Sequence, residues 1–213
     1  TNMSKVSRRV DRKMPKEMGQ DEDWFESHFM PLSVVMISCI SKEGRPNIIP
    51  IISWQFACRW PPKIAIGICR VNYTPSYYVR ASHKMILETG EFVTNFPDAS
   101  MRDQITKTGE LTANDPKVDK FKQAGLTPGR SLVVKPPIIE ECPINVECVV
   151  TDHQSLGSHE MFIGEVVAYH QDGKLIQHEN LEEVDTLVYE LPDGTHKTLH
   201  WCSLMRPGVL DSP

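Results

Sequence analysis

The stretch GRPNIIPIISWQFACRWPPKIAIGI, residues 44–68, decides how this chain folds. It opens as a buried strand, then places Ser53, Trp54 and Gln55 where more aliphatic residues would continue a core. Two prolines, Pro61 and Pro62, precede a second apolar run. Side chains alternate along a strand, so a strand carried through the break sets Ser53 and Gln55 on one face and Trp54 and Phe56 on the other. An apolar and aromatic wall with a few hydroxyl and amide groups suits a flat fused ring. The plainer alternative is a core in which Trp54 and Phe56 are buried aromatics and Ser53 is a strand-end hydroxyl. Composition alone favours that alternative.

The flanking sequence shows what kind of fold holds this stretch. SVVMISCI reads as a buried strand, and SKEGRP supplies Gly44 and Pro46 for a hairpin turn into a strand over residues 47–53. KIAIGIC makes a third strand. Thr74 and Pro75 then carry the cap and first-turn signals of a helix reaching about His83. EFVTNF returns to a strand. ASMRDQITKTG and DPKVDKFKQAGL read as helices, the second capped by Asp115 with Pro116 behind it. INVECVVTDHQ and EMFIGEVVAYHQ are long, β-branched strands around the turn SLGSH, and Asp193-Gly194 marks a last hairpin. Short turns between strands and few helices predict an antiparallel barrel, mainly β with added helices.

The segment CRVNYTPSYY alters the balance between the two readings of residues 53–56. It gathers Arg70, Asn72, Thr74 and Ser76 at the expected start of a helix, where amide N–H groups and the helix dipole favour an anion. Arg70 has the donor fork that suits a phosphate. An aromatic and hydroxyl strand followed by an anion-ready helix start predicts a flat cofactor with a phosphate tail.

Bulk properties remove other classes. Across 213 residues the formal charge is −5 with acids and bases mixed, so the basic stripe expected of a nucleic-acid binder is missing. No apolar run approaches the roughly 20 residues of a membrane span. Six cysteines are scattered without a CxxC pair, and no signal peptide is visible, which predicts a reducing cytoplasm. His196, His200 and Cys202 form a partial metal group with no complementary pair at zinc spacing, so no metal site is expected. There is no GxGxxG, P-loop, GxSxG or HExxH motif. Residues 1–30 read as a polar arm, 31–172 as the main domain and 173–213 as a C-terminal extension.

The ordered set PLSVVMISCISKEGRPNIIPIISWQFACRWPPKIAIGI, YTPSYYVRASHKMILETGEFVTNFP, DKFKQAGLTP, NVECVV and GSHEMFIGEVVAYH resembles the flavin reductase-like family, and within it the flavoredoxins. The resemblance covers about residues 31–171. It implies a six-stranded antiparallel FMN-binding split barrel that forms a homodimer. By motif, the flavin would be lined by residues 47–55, among them Asn47, Ile51, Ile52, Ser53, Trp54 and Gln55. Arg70, Thr74 and Ser76 would sit at the ribityl phosphate, with Lys107 or Thr108 closing over the same tail. The family's Gly-Asp-His signature reads Gly157-Ser158-His159 here, with His159 as the catalytic candidate beside the ring. The implied activity is electron transfer between NAD(P)H, or a small-molecule or protein redox partner, and FMN. The alternatives are a non-enzymatic flavin- or haem-binding protein, with His153 or His170 as axial ligand, and a pyridoxamine phosphate oxidase-like oxidase. The last needs a second basic cluster that the sequence lacks.

Overall fold

The computed structural model describes residues 33–72, 78–178, 186–190 and 193–200. Four strands come first: β1 (Val35–Ile40), β2 (Pro46–Ile51), β3 (Trp54–Arg59) and β4 (Pro62–Cys69). Helix α1 (Ala81–Thr89) and β5 (Glu91–Phe96) follow, then a 3-10 turn (Ala99–Met101), α2 (Arg102–Glu110) and α3 (Lys120–Ala124). The short strands β6 (Pro128–Gly129) and β7 (Ile138–Ile139) lead to the long hairpin of β8 (Ile144–Leu156) and β9 (His159–Gln171). Three more strands, β10 (Lys174–His178), β11 (Thr186–Glu190) and β12 (His196–His200), form a separate small sheet. The hairpin expected at Asp193-Gly194 is β11–β12.

The main sheet is antiparallel, with strand order β2-β1-β5-β8-β9-β4-β3. This corrects the expected six strands to seven. The ladder ends on β2 and β3, which are consecutive in sequence and joined only by Ile52 and Ser53. A two-residue link reaches no more than roughly 10 Å between flanking Cα atoms. The two outer edges must therefore lie side by side, and the sheet curls through nearly a full turn without closing. Bulges at Glu147/Cys148 and Val150/Asp152 supply local bending in the β8–β9 hairpin.

Alternation along β1 and β2 explains the unbroken apolar run that the sequence shows there. Val35, Ile37, Cys39, Ile49 and Ile51 enter the inner core with Ile64, Ile66, Ile68, Phe92 and Phe162, and Met85 and Ile86 of α1 pack against them. Val34, Met36 and Ile48 belong instead to an outer core with Met101, Ile105, Phe121 and Ala124, which lie on or beside α2 and α3. Both faces of β1 are thus covered, as in a strand buried between layers. Gly164 is required by the inner core: a Cβ there would stand 2.6 Å from the Phe92 ring.

Three expected boundaries move. The strand over residues 47–53 ends at Ile51, and Trp54 begins a new strand on the opposite edge. Residues 78–80 are not helical and α1 begins at Ala81, with Arg80 in the N-cap position, while the expected start at Thr74 and Pro75 lies outside the described residues. Asp119, not Asp115, caps α3, its Oδ1 accepting from Lys122 N at 3.1 Å. Asp115 instead closes its own turn by accepting from Lys117 N.

A buried carboxylate fastens the loop between β6 and β7. Glu147 accepts from the amides of Leu132, Val133 and Val134 at 2.6, 2.7 and 2.9 Å, and its Oε1 lies 2.6 Å from His170 Nε2. Burial pushes the carboxyl pKa up, but the three amides and the imidazole outweigh it and hold the group below the usual glutamate range. A lowered carboxylate pKa contributes stability above the unfolded value, and that contribution is lost as pH falls through the folded one. Glu147→Gln should cost about 3 kcal/mol at pH 7, since it removes several hydrogen bonds to a charged group. Urea unfolding at pH 7 and pH 4 should show the gap between wild type and variant narrowing in acid. An equal gap at both values would contradict the assignment.

Candidate functional site

Where β2 leaves one edge and β3 joins the other, the split of the barrel holds a cavity of about 320 Å³. Its walls come from five segments. Asn47, Ile49, Pro50 and Ile51 come from β2, and Ile52 and Ser53 from the link. Gly67 and Cys69 come from β4, and His159 from the start of β9. Tyr78, Arg80, Ala81 and Ser82 surround the start of α1. Thr108, Gly109, Leu111, Thr112, Ala113 and Lys120 close the far side from α2, the loop after it and α3.

The β2–β3 seam is tight at Ser53. Gly67 N donates to Ser53 O at 2.7 Å, and Ser53 Oγ donates to Gly67 O at 2.7 Å. A Cβ on Gly67 would come within 3.1 Å of the Ser53 side chain, so glycine lets the two backbones meet. Since the Ser53 hydroxyl proton is committed to Gly67, its oxygen faces a ligand as an acceptor.

Asn47 is 2 % exposed, and its Nδ2 donates to Ser82 Oγ at 2.8 Å. Its Oδ1 is buried with no protein partner. An unpartnered buried carbonyl is costly, and this one belongs to a residue of the cavity wall.

The charge on the walls is one-sided. Arg80 and Lys120 line the cavity, and among the described residues no carboxylate does. Lys120 is 6 % exposed and donates from Nζ to Thr108 O at 2.7 Å. Burial, with Arg80 adding repulsion, lowers its pKa to about 8. Arg80 stacks its guanidinium 4.2 Å from the Tyr78 ring centroid and is the N-cap residue of α1. No side chain caps that helix start. Two cations and a helix N-terminus without a side-chain cap give this part of the wall a positive character, although the whole chain is negative.

His159 stands at the other end of the β4 contact, paired across the ladder with Cys69. Its Nδ1 lies 2.8 Å from Ser158 Oγ. Burial, and secondarily the charge of Arg80, holds its pKa below the ordinary histidine value. The ring is therefore neutral near pH 7. A Ser158 hydroxyl that donates to Nδ1 leaves the ring proton on Nε2.

Of the sequence-predicted residues, Asn47, Ile51, Ile52, Ser53, Thr108 and His159 come together on the cavity walls. Four others do not. Trp54 packs edge-on against Phe96 at 5.1 Å and donates from Nε1 to Ser33 O, because β3 turns it away from the seam. Gln55 is exposed on β3, as is Phe56 at 56 %, so the expected alternating wall does not form. Lys107 is exposed on α2, one helical step away from the buried Thr108. Arg70 is held by Glu160 and by the carbonyl of Gly157, at 3.1 and 3.2 Å, and lies off the cavity. Thr74 and Ser76 lie outside the described residues. Sequence reasoning missed Arg80, Ser82 and Lys120. The one signal for Lys120 is its helical spacing to Ala124, which puts it on the buried face of α3.

The haem alternative finds no support at its two histidines. His153 Nδ1 lies 2.7 Å from Glu160 and His170 Nε2 lies 2.6 Å from Glu147, and neither residue lines the cavity. Among the described residues no group of three metal-ligating side chains converges, and no helix is long and apolar enough to cross a membrane.

A nearly closed antiparallel sheet with its cavity at the split defines a class, and the comparisons agree with it. The flavin reductase like domain model matches residues 27–190, and the chain belongs to that family. Nitrilotriacetate monooxygenase component B from Bacillus cereus superposes with a TM-score of 0.67 at 22% identity, covering 93% of this chain and 100% of that one. Flavoredoxin of Desulfovibrio vulgaris (Miyazaki F) gives a TM-score of 0.59 at 21% identity, with 84% and 92% covered. A protein with a split barrel domain from Shewanella frigidimarina NCIMB 400 gives 0.62 at 22% identity, with 82% and 84% covered. These likenesses establish the shared fold.

Proposed function

We propose that the chain is an FMN-binding oxidoreductase of the flavin reductase and flavoredoxin type, which passes electrons between NAD(P)H or a redox partner and the flavin. The observation that carries this reading is the chemistry of the cavity wall. Asn47 Oδ1 is a buried acceptor without a protein partner, and Arg80, Lys120 and the start of α1 are positive, with no carboxylate among the described wall residues. A ligand with hydrogen-bond donors and a terminal phosphate satisfies both.

Bound there, FMN would supply the redox chemistry, since the side chains on the walls have none suited to hydride transfer. The chain's own residues bind and orient. Asn47 and the Ser53 oxygen accept from ligand donors, Lys120 and Arg80 neutralise a phosphate, and Ile49 and Ile51 exclude water. Neutral His159 holds a proton on Nε2 at the cavity wall, where it donates a hydrogen bond. The experiment is anaerobic mixing of the FMN-loaded chain with NADH or NADPH. Bleaching of the flavin absorbance by either donor supports a pyridine-nucleotide reductase, and bleaching only by a reduced protein partner places the chain with the electron carriers.

The same reading includes a two-fold homodimer. Phe56 and Trp60, 56 % and 85 % exposed, lie on or just after β3, and Tyr169 of β9 is 68 % exposed. Large apolar side chains in such number on one sheet need a cover, and cyclic dimers are the commonest symmetric assembly. Light scattering at micromolar concentration should give twice the chain mass. A monomer that still holds flavin would contradict it.

A further inference from the structure

Inside the barrel, directly behind the cavity wall, lies a polar cluster that the binding reading does not use. Its centre is Glu160, 5 % exposed. Glu160 Oε1 lies 2.7 Å from His153 Nδ1, and Oε2 accepts from Ser155 Oγ at 2.8 Å. Arg70 Nε stands 3.1 Å from Oε2, and His83 Nε2 of α1 is 3.9 Å away. A buried carboxylate costs several kcal/mol unless it is paired. Its partners meet that need, which leaves room for a role besides stability.

Arg70 shows what that role is. Besides Glu160, it holds two successive residues of the β8–β9 turn. Its backbone N donates to Ser158 O at 3.0 Å, and its Nη1 donates to Gly157 O at 3.2 Å. One residue at the exit of β4 thus grips the chain at positions 157, 158 and 160. Position 159 is the one left between them, and strand alternation turns it to the opposite face, into the cavity.

We propose that the Arg70–Glu160 pair is an internal clamp that positions His159, so that Glu160 and Arg70 are positioning residues for the site on the other face of the strand. The consequence for the reaction rests on the reading of His159 given under Proposed function. The clamp keeps the turn taut, so that Ser158 Oγ stays on His159 Nδ1 and the ring proton stays on Nε2. Glu160→Gln keeps the shape and removes the charge that draws in Arg70. Arg70→Lys keeps a charge but lacks the planar fork that reaches Glu160 and Gly157 together.

The test is a long-range ¹H–¹⁵N spectrum of the His159 ring in the flavin-free chain at pH 7.5. Wild type should show a single Nε2-protonated tautomer, and both variants should show a mixture. In FMN-loaded protein, each variant should slow flavin bleaching about tenfold through misplacement of the ring. Neither should slow it further in a His159→Ala background. If Glu160→Gln does not fold, Arg70→Lys decides. A folded Arg70→Lys chain with an unchanged single tautomer overturns the clamp. A tautomer mixture with an unchanged bleaching rate leaves the clamp standing and overturns the part assigned to His159 in the reaction.

Discussion

Replacing Lys120 with methionine should weaken FMN binding roughly 50-fold, the worth of one charge-assisted hydrogen bond to a phosphate. Riboflavin, which has no phosphate, should bind the variant about as tightly as wild type, because methionine keeps the length and apolar contact of the lysine stem. The position of the amine explains both effects. Lys120 is almost fully buried on the cavity wall and donates to the Thr108 carbonyl, and among the described residues no carboxylate shares that wall. In the empty chain its pKa is lowered to about 8 by burial first and Arg80 second. A bound phosphate favours the protonated amine, so binding takes up a proton where the free amine has lost one. FMN affinity should therefore fall as pH rises through about 8, while riboflavin affinity stays level. The same lowered pKa means that burying the charged amine costs folding free energy below pH 8, and that this cost shrinks as pH rises toward the unfolded value. Lys120→Met should accordingly fold as well as wild type. Equal losses for FMN and riboflavin, measured by fluorescence quenching, would remove the phosphate from this end of the cavity.

His159→Ala should slow flavin reduction about 100-fold, the usual cost of deleting one oriented donor beside a site of developing charge. FMN affinity should change little, because the anion site and Asn47 are untouched. Ser158→Asp tests the same ring from the other side. Serine gives His159 a hydrogen bond without a charge, and burial together with Arg80 leaves the imidazole neutral near pH 7. An aspartate at 158 would raise its pKa and hold a proton on both nitrogens. Stopped-flow bleaching should then be faster than in wild type. Unchanged rates in both variants would return His159 to the part of a turn residue.

The sequence disclosed the strands better than the seam between them. SVVMISCI is legible because both faces of β1 are covered, so its apolar run has no gaps. The β8–β9 hairpin is legible because its turn is local, with Gly157 at positive φ between the strands. The break at Ser53 is not, because the chain there crosses from one edge of the sheet to the other, and the reason lies in the sheet's curl. The signal at Thr74 and Pro75 lies outside the described residues, and α1 begins at Ala81, where packing of Met85 and Ile86 in the inner core takes hold. The cations on the cavity wall, Arg80 and Lys120, carry no local signal of this kind. Arg70 carries the right chemistry for a phosphate, but Glu160, one strand away, claims it. Lys120 sits in a run of lysines and aspartates that reads as a solvated face, and only its burial under α2 distinguishes it.

The central claim is that the cavity at the barrel's split takes FMN by its phosphate as well as by its ring. Titrating the flavin-free chain with FMN, FAD and riboflavin, and following flavin fluorescence, measures this directly. The account predicts strong quenching by all bound flavin and a dissociation constant for FMN at least about tenfold below that for riboflavin, the gain expected from a phosphate held by charged donors. FAD, whose phosphate is not terminal, should bind more weakly than FMN. No quenching with any of the three, or equal constants for FMN and riboflavin, would contradict it.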